Sequence, residues 1–277
     1  YDRYDPARAA LRTWLYRIAT NACLTALEQR SRRPLPSGLG APPGSDPEQP
    51  MIRGEEVPWL QPIPDSVLGD PADVLFSRGS LRLAFVAALQ FLPARQRAVL
   101  ILREVLEWSA AEVAEALDMT TAAVNSALQR ARARLGEAGL DEDRIVEPAD
   151  PDHRAQVERY AAAFENADIR ALEKLLTEDA VLEMPPFVTW FAGREAYLHF
   201  ITRIYTLRGT DWRMVPTRAN GQPALAAYTR APDGGYTLNN LQVFTVTEAG
   251  ISRTTAFQDQ DLFNYFGLLP SITGVER

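Results

Sequence analysis

The densest run of chemistry-bearing side chains in this sequence is Thr121, Ala122, Asn125, Ser126 and Gln129, followed by Arg130, Arg132 and Arg134. Asparagine and glutamine amides can pair bidentately with adenine, serine and threonine hydroxyls can bond either base type, and guanidinium groups further along suit phosphates. The same run also fits an ordinary solvated helix face, so by itself it leaves both readings open. Groups able to move protons are fewer. His199, Asp259, Asp261 and Glu183 are the candidates, with Tyr160, Trp190, Tyr228 and Phe257 as pocket walls, but no spacing pairs them into a dyad. Two histidines and one cysteine cannot build the usual structural zinc site, and no glycine-rich phosphate loop or nucleophile elbow is present. No cofactor is expected.

The polar run needs a scaffold, and the residues around it supply one. Val124, Leu128 and Leu135 place an apolar face on a helix from Thr121 to Leu135. Before it, Ser109 and Glu112 have capping-box spacing for a short helix that turns Val113, Ala114 and Leu117 inward, and Asp118-Met119-Thr120 makes a tight turn. Earlier still, Leu81, Phe85, Ala88, Leu89 and Leu92 share one helical face ended by Pro93. Arg97 to Val105 then offers Val99, Leu100, Leu102 and Val105 to the same core. Short helix, tight turn and basic helix, within residues 73–136, is the helix-turn-helix plan.

The formal charge of −7 argues against a nucleic-acid binder at first sight, since phosphate contacts need cations. The charge is unevenly spread. Seven arginines face three acids in residues 1–33, and residues 119–135 hold three arginines and no acid. Within the first stretch, Leu11, Trp14, Leu15, Ile18, Ala22 and Leu27 recur at helical spacing after Asp5-Pro6, and one such helix cannot bury its face alone. Residues 34–72 read as an acidic, Pro-rich linker whose apolar cluster, Val57, Trp59, Leu60 and Ile63, is set among prolines and should pack extended on a neighbouring surface. Residues 137–152 form a second acidic break closed by Pro148 and Pro151.

Beyond it, over residues 153–270, the pattern changes to helices followed by strands: Arg154–Asn166, Ile169–Leu176, a strand at Ala180–Met184, a helix over Gly193–Tyr205, then strands near 212–219, 222–230, 237–248 and 250–258. That order predicts an α+β domain with a mostly antiparallel sheet. The single Cys23 excludes an internal disulfide, and no apolar run reaches the roughly 20 residues of a membrane span, so a cytoplasmic protein without membrane contact is expected. The chain opens at Tyr1 without Met, close to a helical pattern, and a missing N-terminal segment is expected.

Three blocks, Phe91-Leu92-Pro93-Ala94-Arg95-Gln96-Arg97-Ala98-Val99-Leu100, Trp108-Ser109-Ala110-Ala111-Glu112-Val113-Ala114 and Val124 through Arg132, resemble in order and spacing region 4 of extracytoplasmic-function sigma factors. Tyr4-Asp5-Pro6, Trp14 through Asn21 and the arginines ending at Arg33 resemble the end of region 2 in that family, whose early helices have no counterpart here. Phe164-Glu165-Asn166-Ala167-Asp168, Leu175 through Pro186 and Gly193-Arg194 resemble the SnoaL-like branch of the nuclear transport factor 2 superfamily.

The resemblance implies a fold of all-α sigma regions, a partial region-2 helix and a region-4 helix-turn-helix, plus a C-terminal α+β cone with a curved antiparallel sheet around an apolar pocket. It implies a promoter-specific initiation factor that binds core RNA polymerase, with no enzymatic activity. Thr121, Ala122, Asn125, Ser126, Gln129, Arg130 and Arg132 would read the minus-35 element. Trp14 and Asn21 would lie near the melted minus-10 strand, and Arg30, Arg32 and Arg33 near phosphates, in keeping with what single-strand capture requires. The C-terminal domain would regulate, with Tyr160, Glu183, Trp190, His199, Tyr228, Phe257 and Asp259 around a pocket for a small apolar ligand. The alternatives are a ligand-sensing helix-turn-helix repressor, which leaves the Trp14–Arg33 block unexplained, and a cyclase or isomerase with a vestigial helix-turn-helix. The acidic linker is either a solvated tether or a strand for the polymerase's basic RNA path.

Overall fold

The computed structural model describes residues 11, 14–16, 18–20, 22–23, 32–44, 46–67, 83–137 and 151–273. The expected Asp5-Pro6 cap, Asn21, Arg30, Leu27, Leu81 and nearly all of the second break lie outside the described residues. Two compact units emerge, one drawn from Tyr1–Arg32 and Phe85–Asp141, the other from Arg33–Ala84 and Glu142–Arg277.

Leu83–Leu89 (α1), which enters the first unit at Phe85, gives way at Pro93 to Ala94–Leu100 (α2), which runs on into a π-helical turn, Ile101–Val105. The Arg97 guanidinium donates to the carbonyls of Gln90 (3.1 Å) and Leu92 (3.2 Å), satisfying acceptors left over after α1. Ala110–Leu117 (α3) is N-capped by Ser109: the Glu112 amide donates to Ser109 Oγ (3.2 Å) and the Ser109 amide donates to Glu112 Oε2 (2.8 Å). Asp118, at φ 53°, ends α3 in the left-handed region, where a short polar side chain costs least. Thr120 Oγ1 accepts from the Ala123 amide (3.1 Å) at the start of Thr121–Glu137 (α4). Val99, Leu100, Val113, Val124 and Ala131 are fully buried between these helices. Tyr16, in the helical stretch within residues 11–23, sets its ring edge-on to Trp108 at 5.2 Å. Leu11, Leu15 and Ile18 are 40–51% exposed, so this helix shows part of its apolar face to solvent.

The second unit runs Pro151–Glu165 (α5), Ile169–Leu175 (α6), Leu176–Glu183 (β1), Trp190–Ala192 (β2), Arg194–Arg208 (α7), Trp212–Ala219 (β3), Gln222–Arg230 (β4), Tyr236–Thr247 (β5), Gly250–Phe257 (β6), Gln260–Tyr265 (α8) and Ser271–Ile272 (β7). The sheet order is β2-β1-β6-β5-β4-β3, with β7 on β5. One pairing departs from the expected antiparallel sheet: β1 runs parallel to β6, because the chain reaches the far edge of the sheet by way of β2 and α7 before it folds back through three antiparallel strands. The sheet is therefore mixed. Helices α5 and α7 lay Val157, Tyr160, Phe164, Tyr197, Phe200 and Ile201 against Leu182, Trp212, Leu225, Phe244 and Ile251 of the sheet.

Residues 33–67 belong to this unit and run along it as a strap. The expected solvated tether is thereby corrected for the described part, and the expected docking of its apolar cluster on a surface takes its place. Leu35 and Leu60 are buried at 2% and 7% exposure. Prolines keep the backbone extended, and its amides and carbonyls find partners on the domain instead. The Gly44 amide donates to the Trp190 carbonyl (2.7 Å), Gly54 to Pro186 (2.8 Å), Val188 to Ile52 (2.9 Å) and Asn220 to Ile63 (3.0 Å). Gly54 has a steric reason: a Cβ there would come within 2.8 Å of Val188 and 2.9 Å of Trp59.

Candidate nucleic-acid interface and candidate ligand cavity

In the first unit the helix α4 separates its faces cleanly. Val124, Ala127, Leu128, Ala131 and Leu135 are buried, while Thr121, Ala122, Asn125, Ser126, Gln129, Arg130 and Arg132 are exposed. Asp118 ends α3 in the left-handed region, and Thr121, Ala122, Asn125 and Ser126 occupy the first turns of α4 without covering. Arg132 donates to Glu104 Oε1 at 2.7 Å and Arg134 to Gln96 Oε1 at 3.4 Å, ties that brace the second half of α4 against the scaffold. Arg132 thus holds a protein partner where the sequence reading gave it a phosphate, and Arg130 remains exposed beside it. Trp14 is half-buried, Arg32 and Arg33 are exposed, and the Arg32 guanidinium sits 5.8 Å from the Phe91 ring centroid. Burial pulls the Arg97 pKa down, and the nearby Arg32 charge adds to this.

In the second unit a cavity of about 290 Å³ opens between the sheet and helices α5 and α7. Phe164, Leu182, Met184, Phe200, Ile204 and Trp212 supply apolar walls, and Asn239, Asn240, Gln242, Thr254 and Gln258 supply polar ones. Of the seven residues expected around it, Tyr160 lines it and the other six do not. Strand alternation explains two of them. Leu182 and Ala256 face the cavity, so Glu183 and Phe257, one residue along, face the other side of the sheet. Tyr228 packs in a separate cluster with Ala226 and Tyr236 and donates to the Leu269 carbonyl (3.0 Å).

Four of the misplaced candidates hold the strap. Glu183, fully buried, is paired with Arg253, and its Oε2 accepts from the Ser37 amide (3.2 Å) and hydroxyl (3.1 Å). Trp190 Nε1 donates to the Ala41 carbonyl (3.1 Å), and His199 Nε2 lies 3.1 Å from Glu48 Oε1. Asp259 accepts from Gln61 Nε2 (2.7 Å) and caps α8 through the Asp261 and Leu262 amides (2.9 and 3.2 Å). Asp65 pairs with Arg218 (2.8 Å) at the far end. Glu183, His199 and Asp259, three of the four expected proton-moving groups, thus hold the strap instead.

The cavity's own polar groups went unread in the sequence. Asn239 and Asn240 sit inside a strand, where asparagine is disfavoured, and that mismatch was the available signal. A bulge in the β4–β5 register, where Ala227 faces Asn240 and Tyr228 faces Leu238, brings both asparagines to the cavity. Tyr197 Oη donates to Thr254 Oγ1 (2.9 Å) and lies 2.8 Å from Tyr160 Oη. Burial pushes the Tyr197 hydroxyl up to about 12 and Tyr160 well above its ordinary value, so both are neutral hydrogen-bonding groups at physiological pH. No group of three or more His, Cys, Asp or Glu that could hold a metal occurs among the described residues, and none of their helices is long and apolar enough to cross a membrane.

Comparison with known proteins covers both units. Family models match residues 1–33 (sigma-70 region 2), 82–135 (sigma-70 region 4) and 157–254 (SnoaL-like domain). The sequence is 47% identical over 270 residues to the ECF RNA polymerase sigma factor SigG of Mycobacterium tuberculosis, covering 96% of this chain and 72% of that protein. A probable RNA polymerase sigma factor of Haemophilus influenzae is 27% identical over 128 residues, 46% of this chain and 63% of that protein. The crystal structure of the M. tuberculosis extracytoplasmic function sigma factor SigJ superposes with a TM-score of 0.63 at 22% identity, over 94% of this chain and 85% of that one. It shares the fold.

Proposed function

The chain belongs to the extracytoplasmic-function family of RNA polymerase sigma factors, transcription initiation factors rather than enzymes, and from that premise we propose how its parts divide the work. Core RNA polymerase and promoter DNA are the partners that membership implies. The α4 helix reads the minus-35 element through Thr121, Ala122, Asn125, Ser126 and Gln129, with Arg130 on a phosphate. The observation that carries this is the uncovered polar face of α4 above a buried apolar one. Trp14 and Asn21 serve the melted minus-10 strand and Arg30, Arg32 and Arg33 its phosphates, and the whole acts in the cytoplasm, where polymerase is.

The SnoaL-like domain controls this activity and its cavity takes a small apolar ligand. Support comes from the strap: residues 33–67 join region 2 to region 4 in the chain and lie on the C-terminal domain. Whatever grips that segment restricts what the two DNA-reading regions can do. Run-off transcription with purified core polymerase tests both claims, comparing the protein with the same protein ended after Glu147. Promoter-specific transcript that changes on truncation is the expected result. Equal output from both would remove the C-terminal domain from control, and silence from both would remove the initiation role from this sequence.

A further inference from the structure

Two polar atoms of residues that line the cavity have no hydrogen-bond partner among the described residues. Asn240 Oδ1 and Gln242 Oε1 are buried without a hydrogen bond, in side chains 7% and 5% exposed that line the cavity wall. An orphaned buried carbonyl costs about 1–3 kcal/mol, so two of them side by side on β5 amount to a site awaiting donors. The pairing of β5 with β6 orders what surrounds them. Gln242 lies opposite Ala256, which makes Thr254 its diagonal neighbour within about 8 Å. Tyr197 spends its hydroxyl hydrogen on Thr254, so Tyr160 must donate to Tyr197, and the hydrogen of Thr254 is left at the end of the chain. The two unpartnered acceptors and the Thr254 hydroxyl therefore stand along one wall, and Phe164, Phe200, Ile204 and Trp212 form apolar walls of the same cavity.

The charge pattern narrows the occupant. Carbonyl oxygens present their negative ends and repel an anion, and no carboxylate or histidine lines the cavity to attract a cation or move a proton. Of the two lining cations, Arg203 already donates to the carbonyls of Pro47 and Gln49 in the strap, the latter at 2.8 Å, and Arg208 is exposed to solvent at the end of α7. That contact also bears on closure. Met51 of the strap is part of the cavity wall, as is Phe187, whose ring lies 5.2 Å below the Arg53 guanidinium. The strap is thus one side of the site.

We propose that this cavity is a receptor site for a neutral, largely apolar molecule carrying a hydroxyl, which donates its one hydrogen to the Gln242 carbonyl and accepts from the neighbouring Thr254, and whose binding fastens the strap through Met51 and Phe187. The proposal rests on the regulatory reading of the C-terminal domain. At 290 Å³ the cavity sits at the lower edge of the roughly 300–1,000 Å³ typical of small-molecule sites, which sets a compact ligand.

Three probes of one shape test the class by calorimetric titration of the whole chain: 2-naphthol, 2-methylnaphthalene and 2-naphthoate. The expected order puts 2-naphthol about tenfold tighter than 2-methylnaphthalene, the worth of one well-made hydrogen bond, with 2-naphthoate weakest. The variant Asn240→Leu with Gln242→Met keeps the volume and should erase that tenfold preference. Equal affinity of the unaltered chain for naphthol and methylnaphthalene, or tightest binding of naphthoate, overturns the proposal whether or not the variant folds, and so does binding of none of the three. Trypsin reads the closure: bound 2-naphthol should slow cleavage after Arg53 severalfold, and an unchanged rate overturns the coupling. Both readouts work without polymerase, so their failure leaves the truncation result, and the regulatory reading it tests, standing on its own.

Discussion

Single side chains in this protein do separable jobs, and substitution should separate them. Asn125 is exposed on α4 and touches no scaffold group that would need its amide. Asn125→Ala should therefore cost about 1–3 kcal/mol at a cognate promoter and little elsewhere, measured by holoenzyme binding to matched and mismatched duplexes. Arg130→Ala should instead weaken binding to every sequence and lower the salt slope by about one. In the C-terminal domain, Tyr197 holds its proton to about pH 12, whereas an unfolded tyrosine loses it near pH 10. The folded state then binds more protons than the unfolded one above about pH 10, so stability falls as pH rises past that value. Denaturant melts at pH 9 and 11 should show the fall, and Tyr197→Phe should lessen it without abolishing it, because burial shifts Tyr160 in the same direction.

Elements owe their positions to a few contacts that can be broken one at a time. The capping box at Ser109 fixes where α3 begins, and with it the angle at which α4 leaves the turn; Ser109→Ala should cost about 1 kcal/mol in a thermal melt of the first unit. Gly250 opens β6 at φ 134°, and a Cβ there would meet the Leu175 carbonyl oxygen at 2.7 Å, backbone that cannot swing aside. Gly250→Ala should cost more than the usual fraction of a kilocalorie, about 1–3 kcal/mol, since strain adds to crowding. The strap's deepest anchor is the buried Glu183 with Arg253 beside it. Removing one partner strands the other charge, so Arg253→Met should destabilise the second unit by about 3–5 kcal/mol, read by chemical denaturation.

For the whole molecule, the strap fastens the stretch that follows region 2 to the C-terminal domain. Residues 33–67 are pinned at Ser37, Ala41, Glu48, Gln61 and Asp65, positions spread along their full length. Several weak ties in series hold a segment firmly while letting one end go at modest cost. Arg203, with its two carbonyl contacts, is the tie nearest the cavity. Loosening it by Arg203→Gln should raise promoter-dependent transcript if the pinned strap restrains the sigma regions. A transcript level indistinguishable from the unaltered protein would separate strap docking from activity. The acidic overall charge fits this layout, because cations are needed on the DNA-reading stretches and acids elsewhere keep the protein soluble.

What the sequence determined by itself is what depends on near neighbours in the chain. The Ser109–Glu112 capping box, the turn at Asp118, the faces of α4 and the strand boundaries at Trp212–Ala219 and Gln222–Arg230 follow from spacings of two to four residues, and the structure has each of them. The tertiary structure alone decided which side of the sheet each strand residue faces and what lies above it. Glu183 and Asp259 read as chemistry because acids near apolar strands often are; they bind the strap because residues 37 and 61, more than 140 positions away, fold over them. Asn240 and Gln242 carried no reading of their own in the sequence, and a bulge together with the packing of α5 and α7 puts them on one cavity wall. The physical reason is common to both. Periodicity fixes the direction of a side chain relative to its own element, whereas the environment it meets is set by pairing and packing between distant elements.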